Sequence, residues 1–212
     1  GSPETRGRLV EKGVEGWRSL ATGTPVRAEF KRPIRRREDG TRHLLIMGGG
    51  LGLLPKRDKF YEQLNALPGV RTVLIAGGNQ KLYEKLAGRY ENIEVVGFTD
   101  RVYEYMAWAD LVLSKPGGIT LFETIFSELP MLAWEPFLQQ EINNARFLVR
   151  AGIGRIAHKE PEDCLAAIRS LLFDQEALDW MAGNMRALKG QLEQEALKQI
   201  FAQLAQAKGV CA

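Results

Sequence analysis

Apolar and polar positions along this chain are grouped in blocks. From His43 onward, short continuously apolar runs are each followed by a loop, often glycine-bearing, and then by a segment whose apolar residues recur at helical spacing. The runs His43–Met47, Val70–Ala76, Ile93–Phe98, Asp110–Leu113, Pro130–Trp134 and Ile153–Ala157 read as strands. Between them helices are predicted over Lys56–Leu67, after Asn79 as far as Tyr90, from a Thr99-Asp100 cap to Ala109, along Ile119, Phe122, Phe126 and Leu129, and over Gln139–Ala151.

A strand that does not alternate is buried on both faces, as in a parallel sheet flanked by helices. The pattern therefore predicts a doubly wound, Rossmann-like α/β fold: a mostly parallel six-stranded sheet with helices on both faces. C-terminal helices are expected over Cys164–Phe173, Gln175–Leu188 and Gln191–Ala207. Ahead of the sheet, Arg6–Gly13 reads as a short helix and Leu20–Val26 as a brief strand broken by a Gly/Pro turn. The expected division is 1–42, the end of a preceding domain with a basic connector; 43–189, a ligand-binding domain; and 190–212, a C-terminal helix. Ligands of such sheets lie beyond the carboxyl ends of the strands. Loops Gly48–Gly52, Gly77–Asn79, Phe98–Asp100, Lys115–Thr120 and Glu135–Glu141 all open on that edge.

Composition narrows the class without changing it. With 212 residues, 45% hydrophobic and 26% charged, the chain has the profile of a soluble protein of one domain or slightly more. Its two cysteines, Cys164 and Cys211, imply no disulfide framework and a reducing compartment. There is no apolar run of about 18 residues and no signal peptide, so a cytoplasmic location is expected. The net charge of +3 is unevenly placed: Arg27, Lys31, Arg32, Arg35, Arg36, Arg37 and Arg42 crowd one region. That run reads as a solvated linker, or as a contact with an acidic membrane surface or a neighbouring domain. It lacks interleaved aromatics, and nucleic acid is not an expected partner. The opening Gly1-Ser2, without methionine, reads as a cloning remnant, so the chain is expected to begin within something larger.

The candidate chemistry centres on Ser114-Lys115-Pro116-Gly117-Gly118-Ile119-Thr120-Leu121-Phe122-Glu123, a strand, glycine turn and helix in that order. Gly117 and Gly118 let backbone approach closely, and the first helical turn offers unpaired N–H groups to an anion such as a diphosphate. The same residues also fit an ordinary turn in which Thr120-x-x-Glu123 forms a capping box; the sequence leaves both open. NAD is disfavoured, because Gly48-x-Gly50-x-x-Leu53 lacks the third glycine and the second strand ends in Ala76-Gly77-Gly78 rather than an acid. No P-loop and no nucleophile elbow are present. The two histidines, His43 and His158, are isolated and read as structural or exposed, and no metal or cofactor is expected. Two glycine loops, with an acid one turn into the second helix, suit a nucleoside diphosphate carrying a neutral group: the acid takes the ribose diol, and Gln140 and Glu141 address sugar hydroxyls. Alone, Gln140-Glu141 also reads as ordinary first-turn polarity. Phe98, Phe122 and Phe126 read as core, and Lys115 either stands exposed or neutralises leaving-group charge.

The motifs Thr22-Gly23-Thr24-Pro25-Val26-Arg27, Met47-Gly48-Gly49-Gly50-Leu51-Gly52, Gly78-Asn79-Gln80-Lys81-Leu82, Gly97-Phe98-Thr99-Asp100, Ser114 to Glu123 and Gln140-Glu141-x-x-Asn144-Ala145 are collinear with those of one family. The chain resembles the C-terminal, donor-binding half of GT-B glycosyltransferases of family 28. Within it, the likeness is to the monogalactosyldiacylglycerol synthase and processive diacylglycerol glucosyltransferase branch. The resemblance implies an inverting, metal-independent transfer of a hexose from a UDP-sugar to a lipid acceptor such as diacylglycerol. It implies that Gly49 and Gly50 line the donor site, that backbone at Gly97 and Phe98 reads the uracil edge and that Glu123 takes the ribose hydroxyls. Gly117, Gly118, Ile119 and Thr120, with Lys115, would hold the diphosphate, and Gln140 and Glu141 would face the hexose. The catalytic base and acceptor groove belong to an N-terminal domain absent from this sequence, so the chain alone is expected to bind donor and transfer nothing. Peripheral membrane contact is expected of the full-length protein. Phe122, Phe126 and Trp134 to Gln139 depart from the family pattern, which often has glycine where Gln139 stands, and this leaves the hexose open. The alternatives are an N-acetylglucosaminyltransferase of cell-wall or polysaccharide synthesis, a UDP-sugar 2-epimerase-like domain, and a nucleotide-sugar sensor.

Overall fold

The structure is a computed structural model that describes residues 2–31, 40–48, 54–55, 57–134, 136–158, 160–194, 196 and 199–203. Six strands form one sheet in the order β3-β2-β1-β4-β5-β6. They are β1 Arg42–Met47, β2 Val70–Ile75, β3 Ile93–Val96, β4 Leu111–Ser114, β5 Met131–Trp134 and β6 Gly154–Ala157. All neighbours pair in parallel. The cause is legible in β1, where Leu44, Leu45 and Ile46 are fully buried: successive side chains point to opposite faces, so both faces must be covered.

Helices α2 (Asp58–Asn65), α3 (Gln80–Leu86) and α7 (Pro161–Leu172) cover the face that holds Leu44, Ile46, Leu113 and Leu132. Helices α4 (Val102–Trp108), α5 (Gly118–Phe126) and α6 (Gln139–Arg150) cover the face that holds Leu45, Val112 and Ala133. Helix α8 (Gln175–Gly190) serves both layers, with Leu178 and Met181 in the first and Met185 in the second. An N-terminal helix, α1 (Pro3–Glu11), buries none of its residues and is tied by Glu4 to Arg150 of α6 and by Arg6 to Glu193.

Two expectations fail for identifiable reasons. Leu20–Val26 forms no strand. It has no ladder, Pro25 has no N–H to donate, and the segment is held by Ala21, whose carbonyl accepts from the Glu193 N–H at 2.9 Å. The chain then makes a short 3-10 turn, Ala28–Lys31, that packs Phe30 edge-on against Tyr103 of α4 at 6.2 Å. Helix α3 ends at Leu86 rather than near Tyr90, because Gly88 adopts a left-handed φ of 69°. Helical residues are described at 194, 196 and 199–203; the rest of the predicted last helix and Cys211 lie outside the described residues, as do Arg32, Arg35, Arg36 and Arg37. Cys164 is fully buried in α7, and burial pushes its thiol up to about 12. Among the described residues no helix is long and apolar enough to cross a membrane.

Where β6 begins beside β5, Gly154 leaves no room for a side chain: a Cβ there would stand 2.0 Å from the Met131 carbonyl oxygen. Backbone of the central sheet cannot yield as a flexible side chain can. Gly154→Ala is expected to lower stability by about 1–3 kcal/mol or more. A thermal melt within a degree of the parent would contradict this account of the β5–β6 edge.

Candidate functional site

The strand order reverses between β1 and β4, and the connections after them lead to α2 and α5 on opposite faces of the sheet. Met47 and Ser114 are partners in the register, so both loops start side by side. The chain leaves β4 through Lys115 and Pro116 and enters α5 with Gly117 as its N-cap. The Gly117 N–H turns back to the Lys115 carbonyl at 2.8 Å, and Asn144 Nδ2 of α6 donates to the Pro116 carbonyl at 2.8 Å, bracing the turn from the side.

No side chain caps α5, so the N–H groups of Gly118, Ile119 and Thr120 have no partner within the helix. The capping-box reading of Thr120 and Glu123 is corrected here. With the helix starting at Gly118, both residues stand inside it, and a box needs its hydroxyl at the cap. Nor is the pair of glycines explained by conformation. Gly117 has an ordinary φ of −66°, and a Cβ on either Gly117 or Gly118 would meet nothing within 4 Å. At these two positions the space is open among the described residues. Ile119, expected on the buried stripe, stands 63% exposed beside it.

Glu123 lies on α5, half-buried, and among the described residues its carboxylate has no hydrogen-bond or ion-pair partner. Burial raises its pKa above the ordinary carboxylate value, and the Arg27 guanidinium partly offsets this. Arg27 is itself fixed: it donates to the Asp100 carbonyl at 2.6 Å and lies over the rings of Phe30 and Tyr103 at 5.4 and 5.6 Å. One guanidinium thus connects the loop after β3 with the acid on α5. The sequence reading placed Arg27 in a solvated basic run; membership of the Thr22–Arg27 motif was the signal that could have singled it out. Strands lie about 4.8 Å apart, so the loops after β3 and β4 open roughly 14 Å from one another along the edge.

The remaining predicted residues divide. Gly97 has space around it, the nearest atom to a Cβ being Tyr83 Cδ2 at 3.9 Å. Phe98 is not core as expected but stands 84% exposed at the same edge, while Phe122 is buried and Phe126 half-buried under Lys31. Gln140 is exposed on the first turn of α6. Glu141 is buried instead, and its Oε2 accepts from the N–H groups of Phe137 at 3.2 Å and Leu138 at 3.5 Å. This is helix-start polarity put to use, and it turns the carboxylate onto its own loop. Lys115 is not exposed either; it is buried, with its ammonium 5.0 Å from the Trp134 ring and 4.6 Å from the Phe137 ring. Gly49 and Gly50 lie outside the described residues.

His43 is buried, and its backbone N–H and Nδ1 both face Asp110 Oδ2, at 2.8 and 3.5 Å; His158 is exposed. Among the described residues no group of three His, Cys, Asp or Glu is placed to hold a metal ion.

Comparison with known proteins identifies the family and the fold. Residues 43–200 match the Glycosyltransferase family 28 C-terminal domain. A processive diacylglycerol beta-glucosyltransferase of Staphylococcus carnosus (strain TM300) is 30% identical over 200 residues, which are 89% of this chain and 51% of that protein. The chain thus spans about half the length of the curated relative it matches. Among solved structures, the glycotransferase of kitacinnamycin superposes with a TM-score of 0.64 at 23% identity, over 87% of this chain and 49% of that one. Anabaena Alr3699/HepE, solved in complex with UDP and glucose, superposes at 0.60 with 16% identity, over 97% of this chain and 61% of that one. At these identities the likeness to solved structures is one of fold.

Because the Glu123 pKa is raised on folding, the folded chain binds its proton more tightly than the unfolded chain does. The favourable contribution is complete at acid pH and is lost as pH rises through the folded pKa, leaving a net cost near neutrality. Glu123→Gln is therefore expected to melt higher than the parent near neutral pH. The gap should close as pH falls through the carboxylate range; equal melts at neutral pH would show that burial exacts nothing from this group.

Proposed function

The chain belongs to glycosyltransferase family 28 as its C-terminal domain, and on that footing we propose that it is the donor-binding half of an inverting, metal-independent hexosyltransferase acting on a lipid hydroxyl such as that of diacylglycerol. The donor is a UDP-hexose. The observation that carries the reading is the uncapped, open N-terminus of α5 with the unpartnered, half-buried Glu123 on the same helix. A helix start binds phosphate through its free N–H groups and its positive dipole end. A carboxylate left without a partner is an acceptor for a diol.

In this reading the uracil lies at Gly97 and Phe98, the ribose hydroxyls donate to Glu123, and the diphosphate meets Gly117, Gly118, Ile119 and Thr120. Arg27 bridges the base and ribose ends, Lys115 faces the diphosphate and Gln140 faces the hexose. Gly49 and Gly50 complete the donor site from the loop after β1. A base in the part of the relatives that this chain does not span removes the proton from the acceptor hydroxyl. The hydroxyl oxygen then attacks the anomeric carbon, and the bond to the β-phosphate oxygen breaks with UDP as leaving group. This chain's share is to hold the donor and stabilise the charge gathering on the diphosphate through fixed dipoles and cations. Residues 43–189 form the donor-binding unit, 1–42 lead into it and 190–212 close it. The acceptor brings the full-length enzyme to a membrane surface as a peripheral protein.

Helix N–H groups and fixed cations supply the positive charge that a divalent ion would otherwise bring. Titration of this chain with UDP is therefore expected to give the same affinity with and without a chelator. Loss of binding on chelation would overturn the metal-free reading.

Glu123 is tested by comparing UDP with 2′-deoxy-UDP. The parent is expected to prefer UDP by about 1.5–3 kcal/mol, the worth of a hydrogen bond to a charged group. Glu123→Ala should erase most of that preference without lowering the melting temperature, since no cap is lost. An unchanged ratio would remove Glu123 from the ribose site.

A further inference from the structure

Lys115, Trp134, Phe137 and Glu141 come from three consecutive parts of the edge: the end of β4, the end of β5 and the loop that opens α6. Lysine is seldom withdrawn from water, yet Lys115 is only 8% exposed. Its ammonium lies between two aromatic rings, at distances where the π quadrupole attracts a cation. The residue chosen at the end of β5 is informative. Trp134 is 93% buried, and among the described residues its indole N–H has no hydrogen-bond partner. Phenylalanine would fill that place without an orphan donor. Tryptophan's advantage is its face, the strongest of the aromatic side chains for a cation.

Phe137 would be a poor fixture by itself, since it is 57% exposed and lies in a loop. It is held by its own backbone: Glu141, buried on the first turn of α6, accepts the N–H groups of Phe137 and Leu138. We propose that Phe137 and Glu141 are positioning residues for Lys115. Glu141 fixes the loop, the loop sets the Phe137 ring, and that ring, with Trp134 and the other contacts of Lys115, helps hold the ammonium withdrawn from water and in one rotamer for the diphosphate at the start of α5. The proposal rests on the donor-site reading above and gives Glu141 a role other than contact with the hexose. Its physical content is preorganisation, since a lysine ordered in advance does not lose its rotamer freedom when the anion arrives.

The test uses this chain with UDP and with uridine, which lacks phosphate, as probes. Phe137→Ala is expected to weaken UDP binding about 3- to 10-fold and to leave uridine binding, read by ligand-detected NMR, unchanged. Lys115→Met should weaken UDP at least as much and spare uridine. Phe137→Ala added to Lys115→Met should cost nothing further, because the ring acts through the ammonium. Glu141→Gln, whose amide oxygen can still accept the loop N–H groups, should retain most of the affinity that Glu141→Ala loses. Phe137 is more than half exposed, so its variant is expected to fold, which a thermal melt checks. Unchanged UDP affinity in Phe137→Ala, an equal loss for uridine, or multiplying effects of the two substitutions would each overturn the proposal while leaving the donor reading intact. A parent chain that binds no UDP would overturn the donor reading itself.

Discussion

The start of α5 has backbone donors and, among the described residues, no side chain to receive them. A helix with glycine at its N-cap and no capping side chain gives up about a few tenths of a kcal/mol relative to a Ser, Asp or Asn cap, and it leaves its first N–H groups without a side-chain acceptor. Asn79 caps α3 and Asp174 caps α8, while α2, α4 and α7 start without a side-chain cap as α5 does. What sets α5 apart is its position. It starts where β4 delivers it beside β1, at the point where the sheet's order reverses. The first N–H groups of α5, which no helix carbonyl receives, are available to an anionic ligand.

Features that lower stability collect around that point. Glu123 is half-buried without a partner, and Phe98, Ile119 and Phe137 expose large apolar surface along the carboxyl edge of the strands. Two charged groupings away from this edge are paired by contrast. His43 and Asp110 face one another, and Glu128, held at a left-handed φ of 51°, is clasped by Arg186 and Lys189. A concentration of unmet donors, an unmet acceptor and uncovered rings at one edge is the physical mark of a surface shaped for something that binds there.

Side-chain chemistry in this site passes through intermediaries. Asn144 acts on the turn by holding the Pro116 carbonyl, Arg27 joins the Asp100 carbonyl to the field around Glu123, and Glu141 acts on a loop rather than on open space. Substituting any of these changes geometry before it changes charge. Effects on ligand affinity are for that reason expected to couple between neighbours instead of adding.

The order of strands and helices, the parallel sheet and the glycine turn that opens α5 were legible in the sequence. Each is a local matter: continuous apolar runs, helical spacing and turn residues act over a few neighbours. The family was legible too, because collinear motifs survive where side-chain packing does not need to be known. What the linear chain could not decide was which of two chemically adequate roles a residue takes. Thr120 and Glu123 had the spacing of a cap but lie inside the helix, because the chain stays extended through Gly117. Phe98 read as core and is exposed, Lys115 had two readings of which burial removes the exposed one, and Glu141 read as sugar-facing or as first-turn polarity and accepts from its own loop, since exposure depends on which strand ends and loops the sheet brings together. Arg27 looked like one charge in a basic run until the turn at Ala28–Lys31 set it between α4 and α5. Burial, charge pairing and ring contacts are relations between residues far apart in the chain, and only the tertiary structure determines them.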